Sequence, residues 1–180
     1  QDNLNNDQNL YLQTIRKSSA HLLALINDVL DFSKIDAGKL ELDTATFDLE
    51  EAIFDVMDML SPLAAQKHID MAFYYADNVP KHVVGDALRF KQILTNLISN
   101  AIKFTPDGEI IVRARMEQDD IGQCLLHFSV QDSGIGLSGT DRKKLFESFS
   151  QGDASVTRQF GGTGLGLAIS KQLVHLMQGQ

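Results

Sequence analysis

The sequence predicts an α+β protein, a two-layer α/β sandwich with a mixed, mostly antiparallel sheet and helices on one face, preceded by a long bundle helix. Three observations indicate this class. A heptad-like apolar pattern runs through Leu10–Ile35, helical and strand patterns then interleave, and tight turns separate the strands. We therefore expect two domains, residues 1–40 for the helix and residues 41–180 for the sandwich.

The first element is predicted as a helix over Leu10–Ile35, after a polar start at Gln1–Asn9 that we expect to be a loop or frayed. Its apolar positions recur in steps of three and four and include Leu12, Ile15, Leu22, Ile26 and Val29. Further apolar residues widen this face, as is typical of a helical bundle. Packing of the helix on its own globular domain is the alternative. Gly38 should end the element, with Lys39–Leu42 short and extended.

The sandwich begins at Asp48, which can cap a following helix with Glu50 and Glu51 in its first turn. Pro62 suggests a kink or a turn in that helix. Strand Cys124–Gln131 predicts a buried Cys124. The elements expected after Asp48 are helix Leu49–Gln66, strand His68–Tyr75, turn Asp77–Pro80, helix Asp86–Phe104, a hairpin-type turn at Asp107-Gly108, strand Glu109–Met116, turn Asp119–Gln123, strand Cys124–Gln131, charged helix Thr140–Phe149 and helix Leu167–Met177.

Two glycine-rich loops late in the chain indicate a nucleotide site. Asp132 ends an apolar strand and is followed by Gly134 and Gly136; Gly161–Leu167 then runs into the last helix. Backbone can approach a ligand closely at glycine, and a helix N-terminus suits phosphate. The long polar stretch Leu137–Gly161 between them is predicted to be a lid that closes over the nucleotide.

Other nucleotide folds fit less well. A Walker A loop needs Gly-Lys-Ser/Thr, and that tripeptide is absent. Gly134–Gly139 matches G-x-G-x-x-G, but the second parallel strand ending in an acid does not follow.

The helix Asp86–Phe104 adds a third signal. Asn96 and Asn100 lie four residues apart, on one face, with Lys103 beside them. An amide oxygen is a hard ligand suited to a magnesium ion that keeps most of its waters and its phosphates.

Together these segments resemble the boxes of sensor histidine kinases. Asn96–Phe104 resembles the N box, Asp132–Gly136 the G1 box, Phe146–Phe149 the F box and Gly162–Leu167 the G2 box. Leu30–Leu40 looks like the exit of the dimerisation helix, and the whole chain is most similar to hybrid kinases of the BarA/GacS type. The resemblance implies a Bergerat (GHKL) ATP-binding fold, with ATP and Mg2+ as cofactors and transfer of the γ-phosphoryl group to a histidine for relay to a response regulator.

The resemblance implies that Asp132 reads the adenine amino group and that Lys103 contacts phosphate. We expect Asn100 to bind magnesium, with Asn96 supporting the same face. The guanidinium of Arg158 can hold a γ-phosphate through two hydrogen bonds, with a solvated arginine as the alternative. An Asx turn at Asp132 and a solvated Lys103 at a helix end are the structural alternatives. The expected ATP-binding residues are Asn96, Asn100, Lys103, Asp132, Gly134, Gly136, Phe149, Arg158, Gly162, Thr163, Gly164, Leu165 and Gly166.

Composition limits which partners and which cellular compartment the chain is expected to have. A formal net charge of −8 without a basic stripe argues against nucleic acid, and the single cysteine fits a reducing cytoplasm. We find no apolar run long enough to span a membrane. The resemblance implies a cytoplasmic fragment of a homodimeric parent that is anchored in the bacterial inner membrane, with its own dimerisation domain as a partner.

The chain departs from the family in its histidines. Among the five, none is preceded by Ser and followed by an acid, and His21 is followed by two leucines. We expect the phosphoacceptor helix to lie before residue 1, the closing C-terminal strands to be missing, and this chain alone not to phosphorylate itself. No catalytic residue is assigned. A GHKL-type ATPase and a non-catalytic nucleotide-sensing module remain the alternatives, although an ATPase would need an acid near Asn96 and none lies between Phe90 and Ala101.

Overall fold

A computed structural model describes residues 5–120, 123–136 and 164–180 of the chain. The chain forms two compact units, Gln1–Leu40 and Glu41–Gln180. Within the described ranges no helix is both long and apolar enough to cross a membrane.

The first unit is one helix, α1, over Asn6–Asp36. It begins four residues before the predicted start at Leu10 because Asn5 and Gln8 form a capping box, with the Asn5 side chain accepting from the Gln8 N–H. The prediction of a loop or frayed start is therefore wrong for residues 6–9, and residues 1–4 lie outside the described part of the chain. Ala37 caps the other end, and Gly38 follows with φ +63°, as expected for the residue that ends the element. The apolar stripe is exposed, and its assignment to a bundle stays a prediction.

The second unit contains five strands and three helices in its described parts. In chain order they are β1 (Ala45–Asp48), α2 (Leu49–Ala65), β2 (Ile69–Tyr75), β3 (His82–Gly85), α3 (Ala87–Phe104), β4 (Gly108–Asp120), β5 (Gln123–Asp132) and α4 (Gly166–Leu176). β1 pairs antiparallel with β3, while β4 lies between β2 and β5, parallel to β2 and antiparallel to β5. The predicted mixed sheet is confirmed, although the strands form two sheets.

Alternation along β4 explains the two layers. Ile110, Val112 and Ala114 are buried in the core with α2 and α3, whereas Arg113 and Arg115 point to the other face. Arg113 donates there to Gln131 of the neighbouring strand at 2.8 Å. The helices therefore cover one face of the three-stranded sheet, as predicted.

Aspartates start both central helices. Asp48 accepts from the Glu51 N–H at 3.0 Å, and this bond, followed by the charge of Lys81, lowers the pKa of the Asp48 carboxyl. The buried Asp86 accepts from the Arg89 N–H and from the Asp43 N–H, both at 3.0 Å. Asp86 thus ties the segment that enters this unit to the start of α3.

Several sequence predictions are wrong in detail. β1 and β3 were not anticipated, since each has only four residues; β1 is anchored by Phe47, whose ring lies 6.0 Å from that of Phe90. The turn at Asp107-Gly108 joins a helix to a strand and is not a hairpin, although Gly108 has φ +118°. α2 continues through Pro62.

The second hairpin strand also differs from expectation. β4 extends to Asp120 and β5 begins at Gln123, so Asp119, Asp120 and Gln123, which were predicted to lie in a turn, belong to strands. Cys124 pairs with Asp119, close to the end of β4 and the start of β5, and it is exposed, so the predicted burial is wrong. The predicted helix at residues 140–149 lies outside the described residues.

The C-terminal end of α3 is held by Lys67, which follows α2. Its ammonium group donates to the carbonyls of Ile102 at 2.7 Å, Lys103 at 3.0 Å and Thr105 at 3.3 Å. A cation here satisfies carbonyls that the helix itself cannot pair, and it favours the negative end of the dipole.

We expect Lys67→Met to lower the free energy of unfolding by about 1–3 kcal/mol, because hydrogen bonds from a charged donor are lost while the aliphatic stem is kept. Urea unfolding measures it. Lys91→Met is the matched control: Lys91 lies 2.7 Å from Asp55 in an exposed ion pair, where the loss should be within about 1 kcal/mol. Equal losses in the two variants would contradict the capping role.

Candidate nucleotide-binding site

The two asparagines of α3 are joined to each other and to α4. The Asn100 amide Nδ2 donates to Asn96 Oδ1 at 3.3 Å, and Asn96 Nδ2 donates to Ser170 Oγ at 2.8 Å. Both asparagines are half-buried, and Ser170 is buried. The shared face predicted from their spacing is therefore present, and the Asn96 side chain accepts a hydrogen bond that holds the Asn100 side chain.

This arrangement fixes what Asn100 can offer a ligand. Because its amide nitrogen donates to Asn96, the remaining polar atom, Oδ1, is the hard oxygen that a magnesium ion prefers. In the described parts of the chain, no three His, Cys, Asp or Glu side chains form a metal-binding group. One side-chain oxygen fits a magnesium ion held mainly by phosphates and waters.

The start of α4 packs directly on Asn96. A Cβ at Gly166 would overlap Asn96 Oδ1, so a larger residue here would have to displace the Asn96 side chain from its hydrogen bonds. Gly164 has φ +68°, a left-handed conformation that favours glycine, and Leu165 between them is buried. The expectation that Gly164 and Gly166 are needed for conformation or clearance is confirmed. The close approach of Gly166 to Asn96 brings the N-terminus of α4 beside the asparagine face.

Asp132 is the last residue of β5 and is exposed. Its Oδ1 accepts from the Gly134 N–H at 2.9 Å, which is the Asx-type bond considered as the structural alternative. The bond uses one carboxylate oxygen, so the other can still accept from a base. The two interpretations of Asp132 are therefore compatible.

The loop after Asp132 is docked on the C-terminal end of α3. The Ile135 N–H donates to the Phe104 carbonyl at 3.2 Å, and a Cβ at Gly134 would overlap that same oxygen. Gly136 follows with φ +67° in open space. Gly134 is therefore needed for close approach, and Gly136 for its conformation.

Ser133 is a site residue to which sequence reasoning gave no role. Its Oγ accepts from the Glu109 N–H at 2.9 Å, and its own N–H donates to the Glu109 carbonyl at 3.1 Å. These bonds extend the pairing of β4 and β5 by one residue and hold the Asp132 loop. The signal was available, since serine in a turn commonly bonds backbone.

Lys103 lies at the same end of α3. Its Nζ is 4.7 Å from the centroid of the Phe104 ring, and burial lowers the pKa of the Lys103 ammonium. Lys67, which sequence reasoning missed, donates a hydrogen bond to the Lys103 carbonyl. No local pattern could identify Lys67, because its partners come 35 to 38 residues later.

The structure therefore brings together Asn96, Asn100, Gly164, Leu165 and Gly166 on one side, and Asp132 and Gly134 against the end of α3 on the other. Lys103 lies at that end of α3 as well, and Gly136 closes the Asp132 loop. Four other predicted positions lie outside the described residues. They are Phe149, Arg158, Gly162 and Thr163, together with Phe146, Phe160 and the rest of the predicted lid, Leu137–Gly161.

We expect Gly166→Ala to weaken nucleotide binding by roughly 5- to 150-fold, because forcing the Asn96 side chain aside costs about 1–3 kcal/mol. Gly85→Ala is the control: its Cβ would lie 3.6 Å from the Phe47 ring, an ordinary contact. Calorimetric titration and thermal melting of both variants test this. If Gly166→Ala melts early yet binds normally once folded, this glycine is structural only.

Comparison with known families gives two matches. Residues 85–180 match the family described as histidine kinase-, DNA gyrase B- and HSP90-like ATPase. Residues 1–38 match the His Kinase A (phospho-acceptor) domain.

Curated relatives are sensor kinases. The chain is 51% identical over 170 residues to sensor histidine kinase GacS of Pseudomonas protegens, covering 94% of this chain and 18% of that protein. It is 42% identical over 169 residues to signal transduction histidine-protein kinase BarA of Escherichia coli K12, again covering 94% of this chain and 18% of that protein. The chain thus spans less than a fifth of the length of these relatives.

Solved structures agree with this fold. Full-length ShkA in complex with AMPPNP aligns with a TM-score of 0.80 at 36% identity, covering 98% of this chain and 35% of that chain. Histidine kinase ThkA in complex with response regulator protein TrrA aligns with a TM-score of 0.67 at 25% identity, covering 98% of this chain and 47% of that chain.

Proposed function

Because this chain belongs to the histidine kinase-, DNA gyrase B- and HSP90-like ATPase family, we propose that it is the ATP-binding catalytic region of a sensor histidine kinase. The observation that carries the proposal is that three of the motif segments meet at α3. Asn100, in the N box, is linked by hydrogen bonds through Asn96 to α4, which follows the G2 box. The G1-box loop after Asp132 docks on the C-terminal end of α3.

The adenine end is formed by Asp132. One carboxylate oxygen holds its own loop through Gly134, and the second would accept a hydrogen bond from the adenine amino group. Guanine presents a carbonyl oxygen at that position, so two acceptors would face each other. Leaving such groups unpaired costs roughly 1–3 kcal/mol, and ATP should be preferred over GTP.

The phosphate end is formed by Asn100, Lys103 and the start of α4. Asn100 Oδ1 would bind Mg2+, which when bound neutralises charge on the phosphates. Lys103, whose pKa is lowered by burial, would regain a favourable environment for its charge beside a phosphate. The N-terminus of α4, opened by Gly164 and Gly166, offers backbone N–H groups that suit an anion. We propose Gly136, Gly162, Thr163 and Arg158 as further phosphate contacts and Phe149 as a further ATP-binding residue; of these five, Gly136 alone lies within the described residues.

The reaction we propose is phosphoryl transfer to a histidine nitrogen. The bond between the γ-phosphorus and its bridging oxygen breaks, a phosphorus–nitrogen bond forms, and ADP leaves. The site residues position the nucleotide and neutralise charge, which is the main form of catalysis in phosphoryl transfer. The acceptor would be on the dimerisation domain of a homodimeric parent, consistent with the match of residues 1–38 to a phospho-acceptor domain.

A response regulator would receive the phosphoryl group next. The structure of ThkA in complex with response regulator TrrA supports a partner of this class. Anchoring of the parent in the bacterial inner membrane is proposed from the likeness to GacS and BarA. Hydrolysis of ATP by water is less well supported, because Asn96, on the face where an ATPase would carry its general base, is a neutral amide bonded to Ser170.

Calorimetric titration with ATP, ADP and GTP, each with magnesium and with EDTA, tests the proposal. We expect ATP and ADP to bind, magnesium to tighten both, and GTP to bind more weakly. Absence of ATP binding, or GTP binding as tight as ATP, would overturn the proposed site.

A further inference from the structure

Ser170 lies in α4, four residues after Gly166, and is 6% exposed. Its hydroxyl oxygen accepts from Asn96 Nδ2 at 2.8 Å, a contact between residues 74 positions apart in the chain. A polar side chain buried this deeply is normally paired, and here its partner is a side chain of the proposed site.

The contact continues to Asn100. Asn96 donates to Ser170 and accepts from the Asn100 amide at 3.3 Å, so both ends of the Asn96 side chain are engaged. Gly166 packs against Asn96 Oδ1 so closely that a Cβ would overlap it. With Ser170 in place, Asn96 has one orientation that satisfies both bonds, and its amide cannot turn over without losing them.

We propose that Ser170 is a positioning residue for magnesium-dependent nucleotide binding. Through its hydrogen bond with Asn96, Ser170 keeps the Asn100 amide nitrogen directed toward Asn96, which leaves Asn100 Oδ1 available to the metal. The proposal rests on the proposed function and extends it from α3 to α4. Groups that orient a metal ligand set its affinity, and removing one typically costs about 10–100-fold.

A purely structural role for Ser170 makes a different prediction. If the hydroxyl only fills a polar position between two helices, its removal lowers stability and weakens binding equally with and without metal. If it positions Asn100, its removal acts on the metal-dependent part of binding. The quantity to compare is the magnesium enhancement, which is the Kd for ADP in EDTA divided by the Kd for ADP in magnesium.

Titration calorimetry of ADP with the full 180-residue chain provides this ratio. We expect Ser170→Ala to reduce the magnesium enhancement by about tenfold and to leave the Kd in EDTA within about twofold. Ser99→Ala is the matched control on α3, because the Ser99 hydroxyl donates to the Asn96 backbone carbonyl at 3.1 Å and not to its side chain. Its enhancement should equal that of the unchanged chain.

A double-mutant cycle with Asn100→Ala sharpens the test, since residues that act as one unit are not additive. Ser170→Ala should have no further effect on the enhancement once Asn100 is alanine. The near-isosteric Ser170→Cys guards against loss of the fold through a cavity, and it should also lower the enhancement because sulfur is a weak acceptor.

The outcomes separate the two proposals. If the unchanged chain does not bind ADP, or binds it without a magnesium effect, the metal site itself fails and this inference fails with it. If the unchanged chain shows the enhancement and folded Ser170→Ala and Ser170→Cys keep it in full, the positioning role is overturned while the proposed function stands. Equal losses with and without metal would also overturn it.

Discussion

Replacing Asn100 by alanine should remove the magnesium dependence of nucleotide binding. Asn100 Oδ1 is the oxygen left to a metal after the amide nitrogen has donated to Asn96 at 3.3 Å. No cluster of acids or histidines in the described ranges offers a substitute site. The Kd for ATP in magnesium should therefore rise to about the value in EDTA, a change we expect to be at least roughly tenfold.

Calorimetry with and without magnesium measures this effect. Asn78→Ala is the control, since Asn78 is an exposed asparagine in the turn between β2 and β3. It should leave both Kd values unchanged. An unaltered magnesium effect in Asn100→Ala would remove Asn100 from the metal site, and an altered Kd in EDTA alone would assign it to the nucleotide instead.

The parts of the site that sequence could predict are those set by local rules. Asn96 and Asn100 share a face because a helix repeats every 3.6 residues, and α3 shows that face as expected. Asp48 was expected to start a helix because its carboxylate can accept from free N–H groups, and it does. Gly164 takes a positive φ that other residues rarely adopt.

The parts that could not be predicted depend on tertiary contacts. Lys67 finds its three carbonyls, and Ser170 its asparagine, across dozens of intervening residues, and no periodic pattern marks either one. β1 and β3 are four residues each, too short to show alternation, and they exist because they pair with each other. The burial predicted for Cys124 is wrong because apolar residues in a strand do not fix how much of that strand the core covers, and both Cys124 and Leu125 at the start of β5 are exposed.

The two carboxylate oxygens of Asp132 have different proposed roles, one in holding its loop and one in binding adenine. Oδ1 accepts from the Gly134 N–H at 2.9 Å, so Asp132→Ala would disturb the loop as well as the proposed base contact. Asp132→Asn is the sharper change. Its side-chain oxygen can still accept from Gly134, while an NH2 group replaces the oxygen proposed to face adenine.

We expect Asp132→Asn to weaken ATP and ADP by the same factor, because adenine is common to both. A donor would then face the adenine amino group, and the cost of about 1–3 kcal/mol corresponds to roughly 5- to 150-fold in Kd. GTP should lose less or gain, since its carbonyl oxygen can accept from the new amide. Thermal melting should remain close to that of the unchanged chain.

Titration of the three nucleotides against Asp132→Asn, with Gln131→Asn beside it, provides the measurement. Gln131 is the exposed preceding residue, and its side chain bonds Arg113 on the opposite face of the sheet, so its change should not affect base preference. ADP affinity that stays the same in Asp132→Asn would show that Asp132 serves its loop alone. A loss confined to ATP would place Asp132 near the γ-phosphate instead of the base, because the γ-phosphate is the group that ADP lacks.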